Sequence, residues 1–241
     1  MYTLKQKVKE FFLGKEKNES SRNRWIEHEL KSLPAGAKIL DAGAGECKWK
    51  DTCRHLKYVS QDFCQYDGSG NGKGAQTGKW NTNRIDIVSD ITDIPVDDGE
   101  FDAVLCSEVL EHLASPDLAV KELGRVTRRE GVLLLTAPFN SLTHFAPYHF
   151  CTGFNIYWYK KHLEESGWKI LEVRSNGNYF SYFNQELGRL PFVIQKYTGK
   201  FSFLVTVQAL FLGRTLKKVM KVKNSSSELQ CFGYFIKAKK R

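Results

Sequence analysis

The chain is predicted to be an α/β protein built on a doubly wound, mostly parallel sheet. Three observations predict it. A short apolar run, Ile39-Leu40, closes on Asp41 and leads directly into glycines at 43 and 45. Apolar runs bounded by glycine read as buried strands of a parallel sheet, and the glycines permit a sharp turn with close backbone approach. Further apolar runs then alternate with amphipathic stretches, as strands separated by helices do. Three of those runs end on an acid, at Asp41, Asp62 and Asp90.

Residues 1–33 read as one or two helices, with Phe11, Phe12, Trp25, Ile26 and Leu30 inward, and Pro34-Ala35-Gly36 breaks them. There follow a strand over 38–42, a helix over 46–55, and strands over 57–61, 85–89 and 101–106. A helix over 116–128, a strand over 131–136, a helix over 155–166 and a strand over 168–174 complete the alternation. Between Asp62 and Ile85 lies the glycine-rich stretch Gly68–Ala75, which has no apolar periodicity and reads as a surface loop. It is either a plain mobile connection or a flap anchored by Trp80. Beyond Arg174, residues 179–197 and 200–222 read as helices, the second ending in Lys217, Lys218, Lys221 and Lys223, and Leu229–Ala238 alternates like a strand.

Composition narrows the class. With 241 residues, 41% of them hydrophobic and 13% aromatic, one domain with a substantial core is the economical expectation. Six cysteines occur without a C-x-x-C pair, so neither a zinc knuckle nor a disulfide framework follows, and reduced thiols in a cytoplasmic enzyme are expected. The start, Met1-Tyr2-Thr3-Leu4-Lys5, lacks the apolar run of a secretory signal, and Phe201–Leu212 is too short to span a bilayer. The net charge of +9 bears on partners rather than on fold.

The order of the acids carries the chemistry. A dinucleotide site wants G-x-G-x-x-G, and Lys48 stands where its third glycine belongs. Asp41, just before the first glycine, suits an ammonium group; Asp62 suits two ribose hydroxyls; Asp90 suits a base edge. One ligand carrying an amino group, a ribose and a base meets all three.

On these residues the chain resembles the class I S-adenosylmethionine-dependent methyltransferases, particularly the small type 11 methyltransferase domains. The match is carried by Lys38–Gly45, by Asp62, by Asp90-Ile91-Thr92-Asp93-Ile94-Pro95, by Phe101–Leu113 and by Gly131–Pro138. It extends from about Lys38 to Arg174, and Cys47 replaces the family's third glycine. The resemblance implies a Rossmann-like sheet of seven strands, the last antiparallel beside strand five, with the helices before it as a C-terminal insertion. It divides the chain into an N-terminal helical segment (1–37), the methyltransferase core (38–174) and the insertion with the final strand (175–241), all within one domain. It implies Asp41, Gly43, Ala44, Gly45 and Asp62 as cofactor contacts, joined by Phe63, Asp90, Ile91 and Ser107. A solvated acidic stretch is the plainer reading of Asp86, Asp90 and Asp93, and Ile91 packs either on the base or in the core.

The acceptor side is expected around Glu108 and around His144–Phe150. Tyr148, His149 and Glu108 are the catalytic candidates, His149 as general base; a structural aromatic loop pinned by Pro147 is the alternative. Glu108, Glu111 and His112 resemble the E-x-x-E-H metal site of ubiquinone-pathway and small-RNA 2′-O-methyltransferases, with His149, or else His144, as a fourth ligand. The same letters occur in relatives that bind no metal, so no ion is expected. Trp158, Tyr159 and Trp168 read as core; Tyr179, Phe180, Tyr182 and Phe183 read as packing or as a roof.

The expected activity is methyl transfer to a small-molecule or glycan-linked acceptor, at oxygen. An RNA methyltransferase is the alternative favoured by charge, though no nucleic-acid recognition module is found. A non-catalytic S-adenosylmethionine-binding or membrane-peripheral scaffold is the alternative of another class. For it the lysines and apolar residues of 200–222 would lie on an anionic membrane, against the plainer reading that this helix packs on the sheet.

Overall fold

The computed structural model describes residues 18–220 and 226–241. Phe11, Phe12, Lys221 and Lys223 lie outside the described residues. The elements are α1 (Asn18–Ser32), β1 (Lys38–Ala42), β2 (Lys57–Asp62), β3 (Ile87–Val88), β4 (Phe101–Ser107), α2 (Pro116–Val126), β5 (Thr127–Pro138), α3 (Ile156–Glu165), β6 (Trp168–Asn176), α4 (Tyr179–Thr198), α5 (Phe203–Met220) and β7 (Gly233–Lys240). The seven strands lie in the order β3-β2-β1-β4-β5-β7-β6. β1 runs parallel to β2 and β4, β4 parallel to β5, and β7 antiparallel to β5.

By their contacts the described residues form two compact units, Arg22–Arg174 with Gly233–Arg241, and Ser175–Phe232 with Asn18–Ser21. In the first, α1 lays Trp25, Ile26 and Leu30 against Ile39, Leu105, Leu134 and Phe235. Trp25 stacks on Phe235 at 5.2 Å, and Glu29 pairs with Lys237 at 2.7 Å. Tyr159 and Trp168 are fully buried, as their core reading requires. In the second unit α4 packs against α5. Asn178 caps α4 by accepting from the Ser181 amide, and Gly199 ends it at φ 67°. Among the described residues no helix is long and apolar enough to cross a membrane.

Two elements differ from the sequence reading. Residues 46–55 form successive tight turns rather than a helix: Lys50 N donates to Cys47 O and Cys53 N to Lys50 O, at 3.1 and 3.2 Å. Cys47 stands at φ 56°, outside the helical region, at the point where a helix would start, and Asp51, Thr52 and His55 favour helix weakly. β3 is two residues long rather than five. The Asp86 carboxylate accepts from the Ser60 amide and hydroxyl, at 2.9 and 2.7 Å, and so takes the donor a longer β3 would pair with.

The strand order positions the site. From β1 the chain moves outward to β2 and β3, then returns to β4 on the opposite side of β1. The carboxyl ends of β1 and β4 therefore flank the crevice where such sheets bind ligands.

Candidate active site

A cavity of about 600 Å³ opens at this crevice. Its floor is the turn after β1. The Gly43 and Ala44 amides donate to the Gln61 carbonyl at 2.8 and 2.9 Å, and the Gly45 amide donates to Asp62 Oδ2 at 2.9 Å. Gly43 stands at φ 73°, and a Cβ there would lie 2.4 Å from Val109 Cγ2, so the turn accepts no side chain. Asp62 also receives the Cys64 amide on Oδ1 at 2.9 Å, which locks its carboxylate between two backbone donors at the cavity wall. Cys47 holds a left-handed conformation (φ 56°), the one glycine adopts without strain.

Asp41 lies behind this wall rather than on it, 3% exposed. The Tyr58 hydroxyl donates to its Oδ2 at 2.5 Å. Burial raises the Asp41 pKa to about 7; the Tyr58 hydrogen bond opposes the rise, and the charge of Asp62 adds to it.

The glycine-rich loop folds over this floor. Asn71 N donates to Ala146 O, Ala75 N to Thr143 O and Phe145 N to Ala75 O, at 2.9 to 3.0 Å, so it is bonded to the loop after β5. Trp80 lies against Gly45, where a Cβ would meet its ring at 2.9 Å, and lines the cavity. Tyr66 and Phe145 stack at 4.6 Å beneath Trp80, and Phe145 stacks in turn on His112 at 4.8 Å.

Opposite the floor, β4 delivers Glu108. The residue is left-handed (φ 57°), a strained conformation for glutamate that points to a functional constraint. Arg22 Nη1 donates to Oε2 at 2.7 Å and Thr136 Oγ1 to Oε1 at 3.1 Å. Next to it, Glu111 is 1% exposed, and burial, then the charge of Glu108, push its pKa well above the usual carboxylate range. His112 donates from Nδ1 to the Tyr148 carbonyl at 2.6 Å, which leaves Nε2 as the basic nitrogen. Burial holds the His112 pKa down near 4. His149 is likewise lowered by burial and by His144.

Residues 40–135 match the family model described as a methyltransferase domain. The matched stretch runs from β1 into β5 and contains the glycine turn, Asp62 and Glu108. The sheet has the same fold as several solved structures. One is a SAM dependent methyltransferase from Archaeoglobus fulgidus, 15% identical, TM-score 0.52, with 99% of this chain and 100% of that one covered. A second is Haemonchus contortus phosphoethanolamine N-methyltransferase 2 in complex with S-adenosyl-L-methionine, 16% identical, TM-score 0.51, covering 99% of this chain and 57% of that one. A third, the [4+2]-cyclase SpnF, is 18% identical with TM-score 0.55 over 92% of this chain and 80% of that one, so the shared fold does not by itself specify the reaction. No curated protein matches the sequence.

Of the residues singled out from the sequence, Gly43, Asp62, Phe63, Asp90, Ile91, Glu108 and Tyr148 all reach the cavity wall. Asp41, Ala44, Gly45, Ser107 and His149 do not line it. Ser107 bonds Thr136 at 2.9 Å, and Ala44 acts through its amide. Asp90 Oδ1 accepts from the Thr92 amide and hydroxyl at 2.8 Å. The sequence reading missed Gln61, Val109 and Phe145 on the wall and Arg22 behind Glu108. Gln61 stands directly before Asp62, and the spacing of strand-end acids pointed one residue past it. Arg22 carries no local signal, being 86 residues from its partner.

Proposed function

We propose that the domain transfers the methyl group of S-adenosylmethionine to an oxygen of a small-molecule or glycan-linked acceptor. The reading rests on one observation: the glycine turn and Asp62 share a single cavity with the strained, doubly bonded Glu108. The residues present fit the cofactor. A side-chain-free turn at Gly43 admits a ligand against the backbone, Asp62 offers a carboxylate held in place, and Ile91 with Phe63 offers apolar surface for a flat base. When bound, S-adenosylmethionine supplies an electrophilic methyl group on a positively charged sulfur. Trp80, Phe145 and Val109 give that region apolar walls. Arg22 and Thr136 hold the Glu108 carboxylate still, so it orients an acceptor hydroxyl rather than following it, and Tyr148 faces the same space.

Glu108→Gln is expected to lower kcat about 100-fold with hydroxylated acceptors while S-adenosylmethionine affinity, read by calorimetry, stays within twofold. An unchanged kcat would remove Glu108 from the acceptor site, and label appearing only on amine acceptors would sink the oxygen assignment.

A second observation bears on where the acceptor is met. α5 turns its small residues Ala209 and Gly213 inward and leaves Phe203, Leu204 and Phe211 exposed at 73, 66 and 70%. Its sequence carries Arg214, Lys217 and Lys218 and no acid. An apolar stripe beside cations complements an anionic lipid surface. We infer that α5 rests on one, as for an acceptor presented by a lipid. Phe203→Glu/Phe211→Glu is expected to abolish co-sedimentation with phosphatidylglycerol vesicles. Equal sedimentation of the variant, or equal binding to neutral vesicles, would refute it.

A further inference from the structure

Beside the cavity, three histidines and one buried glutamate meet from two loops distant in sequence. Glu111 and His112 come from the 3-10 turn Leu110–His112 after β4; His144 and His149 come from the loop after β5. One nitrogen of each histidine lies within 4.8 Å of the others. Glu111 Oε1 lies 3.8 Å from His112 Nε2 and 3.8 Å from His144 Nε2, too far for a hydrogen bond.

Three of the four side chains have buried polar atoms without partners. Glu111 Oε1 and Oε2, His112 Nε2, and both ring nitrogens of His149 are buried without a hydrogen-bond partner. An orphaned buried polar atom costs about 1–3 kcal/mol, and five such atoms meet here. An ordinary structural histidine would bond on both sides. His112 instead has Nδ1–H fixed on the Tyr148 carbonyl, the arrangement that aims Nε2 as a lone pair at an ion. Glu108 is not part of the set, because Arg22 and Thr136 occupy its carboxylate.

We propose that Glu111, His112, His144 and His149 form a site for a first-row divalent transition ion of the zinc class, which joins the turn after β4 to the acceptor loop. Three imidazoles and one carboxylate suit such an ion and not magnesium or calcium, which prefer all-oxygen sets. Zinc binds imidazole nitrogen at about 2.0–2.1 Å, so tetrahedral ligands stand roughly 3.4 Å apart. The ion would lie directly behind His112, a wall residue, and would fix the placement of Tyr148 through the bond its carbonyl already makes.

The site does not depend on the methyl-transfer reading, and its test needs no substrate. Untagged full-length protein, stripped with a chelator, is titrated with Zn²⁺ and separately with Mg²⁺ by calorimetry, and its thermal midpoint is measured with each. One Zn²⁺ per chain, with a raised midpoint and no response to Mg²⁺, is expected. His144→Ala/His149→Ala should lose at least about 100-fold in Zn²⁺ affinity, and Glu111→Gln should weaken it about tenfold or more. Both variants should melt in chelator within a few degrees of stripped wild type, which separates loss of ligands from loss of fold. Co²⁺ in the wild type should give the visible spectrum of a four-coordinate ion. No stoichiometric Zn²⁺ binding, equal affinity for Mg²⁺, or Zn²⁺ affinity unchanged in the double histidine variant would overturn the proposal.

Discussion

Asp62→Ala is expected to weaken S-adenosylmethionine binding at least 100-fold, about 2.7 kcal/mol, while the sheet stays folded. The carboxylate has two tasks. It faces the cavity, and it holds the Gly45 and Cys64 amides at 2.9 Å each. Hydrogen bonds to a charged group are worth about 1.5–3 kcal/mol each, so alanine frees the glycine turn as well as removing a ligand contact. Asp62→Asn retains an oxygen for one amide and should recover part of the loss. Calorimetry with S-adenosylmethionine and S-adenosylhomocysteine reads the affinities, and far-ultraviolet circular dichroism checks the fold. Alanine binding within tenfold of wild type would place the cofactor elsewhere.

The second large effect is one of stability. Asp41→Asn is expected to raise the thermal midpoint of the unliganded protein at pH 8 and to leave it nearly unchanged at pH 4. The wild-type carboxyl titrates near 7 in the folded protein, chiefly because it is buried, against an ordinary value of 3.8 in the unfolded chain. Between those values the folded state keeps a proton that the unfolded state has released. The stability this contributes is fully present below pH 3.8 and is lost as pH rises through about 7. Full loss amounts to roughly 4 kcal/mol, and in a chain of this size each kcal/mol moves the midpoint by about 2–4 °C. Asparagine keeps the shape and accepts from the Tyr58 hydroxyl, but it never carries the buried charge. A difference between variant and wild type that is flat from pH 4 to pH 8 would show that Asp41 does not titrate in this window.

How far the site could be read from residues alone follows from distance along the chain. The glycine turn was legible because its requirement is local: Gly43 at φ 73° must lack a side chain, whatever packs around it. Asp62 was legible because strand ends recur at regular intervals and the acid stands at one of them. Cys47 was legible as a departure, and its left-handed backbone shows that the loop keeps a glycine-like path with a different residue. The segment 46–55 was misread because helix and tight-turn chains share an apolar spacing over ten residues. A left-handed residue at its start, visible only in three dimensions, separates them.

The histidines show the opposite case. The E-x-x-E-H resemblance already groups His112 with His149, or else His144, but its letters point to Glu108 as readily as to Glu111. Which carboxylate joins the imidazoles depends on Arg22, 86 residues upstream, taking Glu108 away. The same holds for Asp41, whose place behind the wall depends on Tyr58 from the neighbouring strand.

The alternation of apolar runs, the glycine pair and the strand-end acids therefore sufficed for the sheet, its parallel sense and the position of its crevice, since each expresses backbone geometry or burial over a few neighbouring residues. The pairing of Arg22 with Glu108, the burial of Asp41 and the presence of both His144 and His149 beside Glu111 required the folded chain. They arise where strand order and loop packing bring distant segments within hydrogen-bond or coordination distance, and no local pattern encodes that closure.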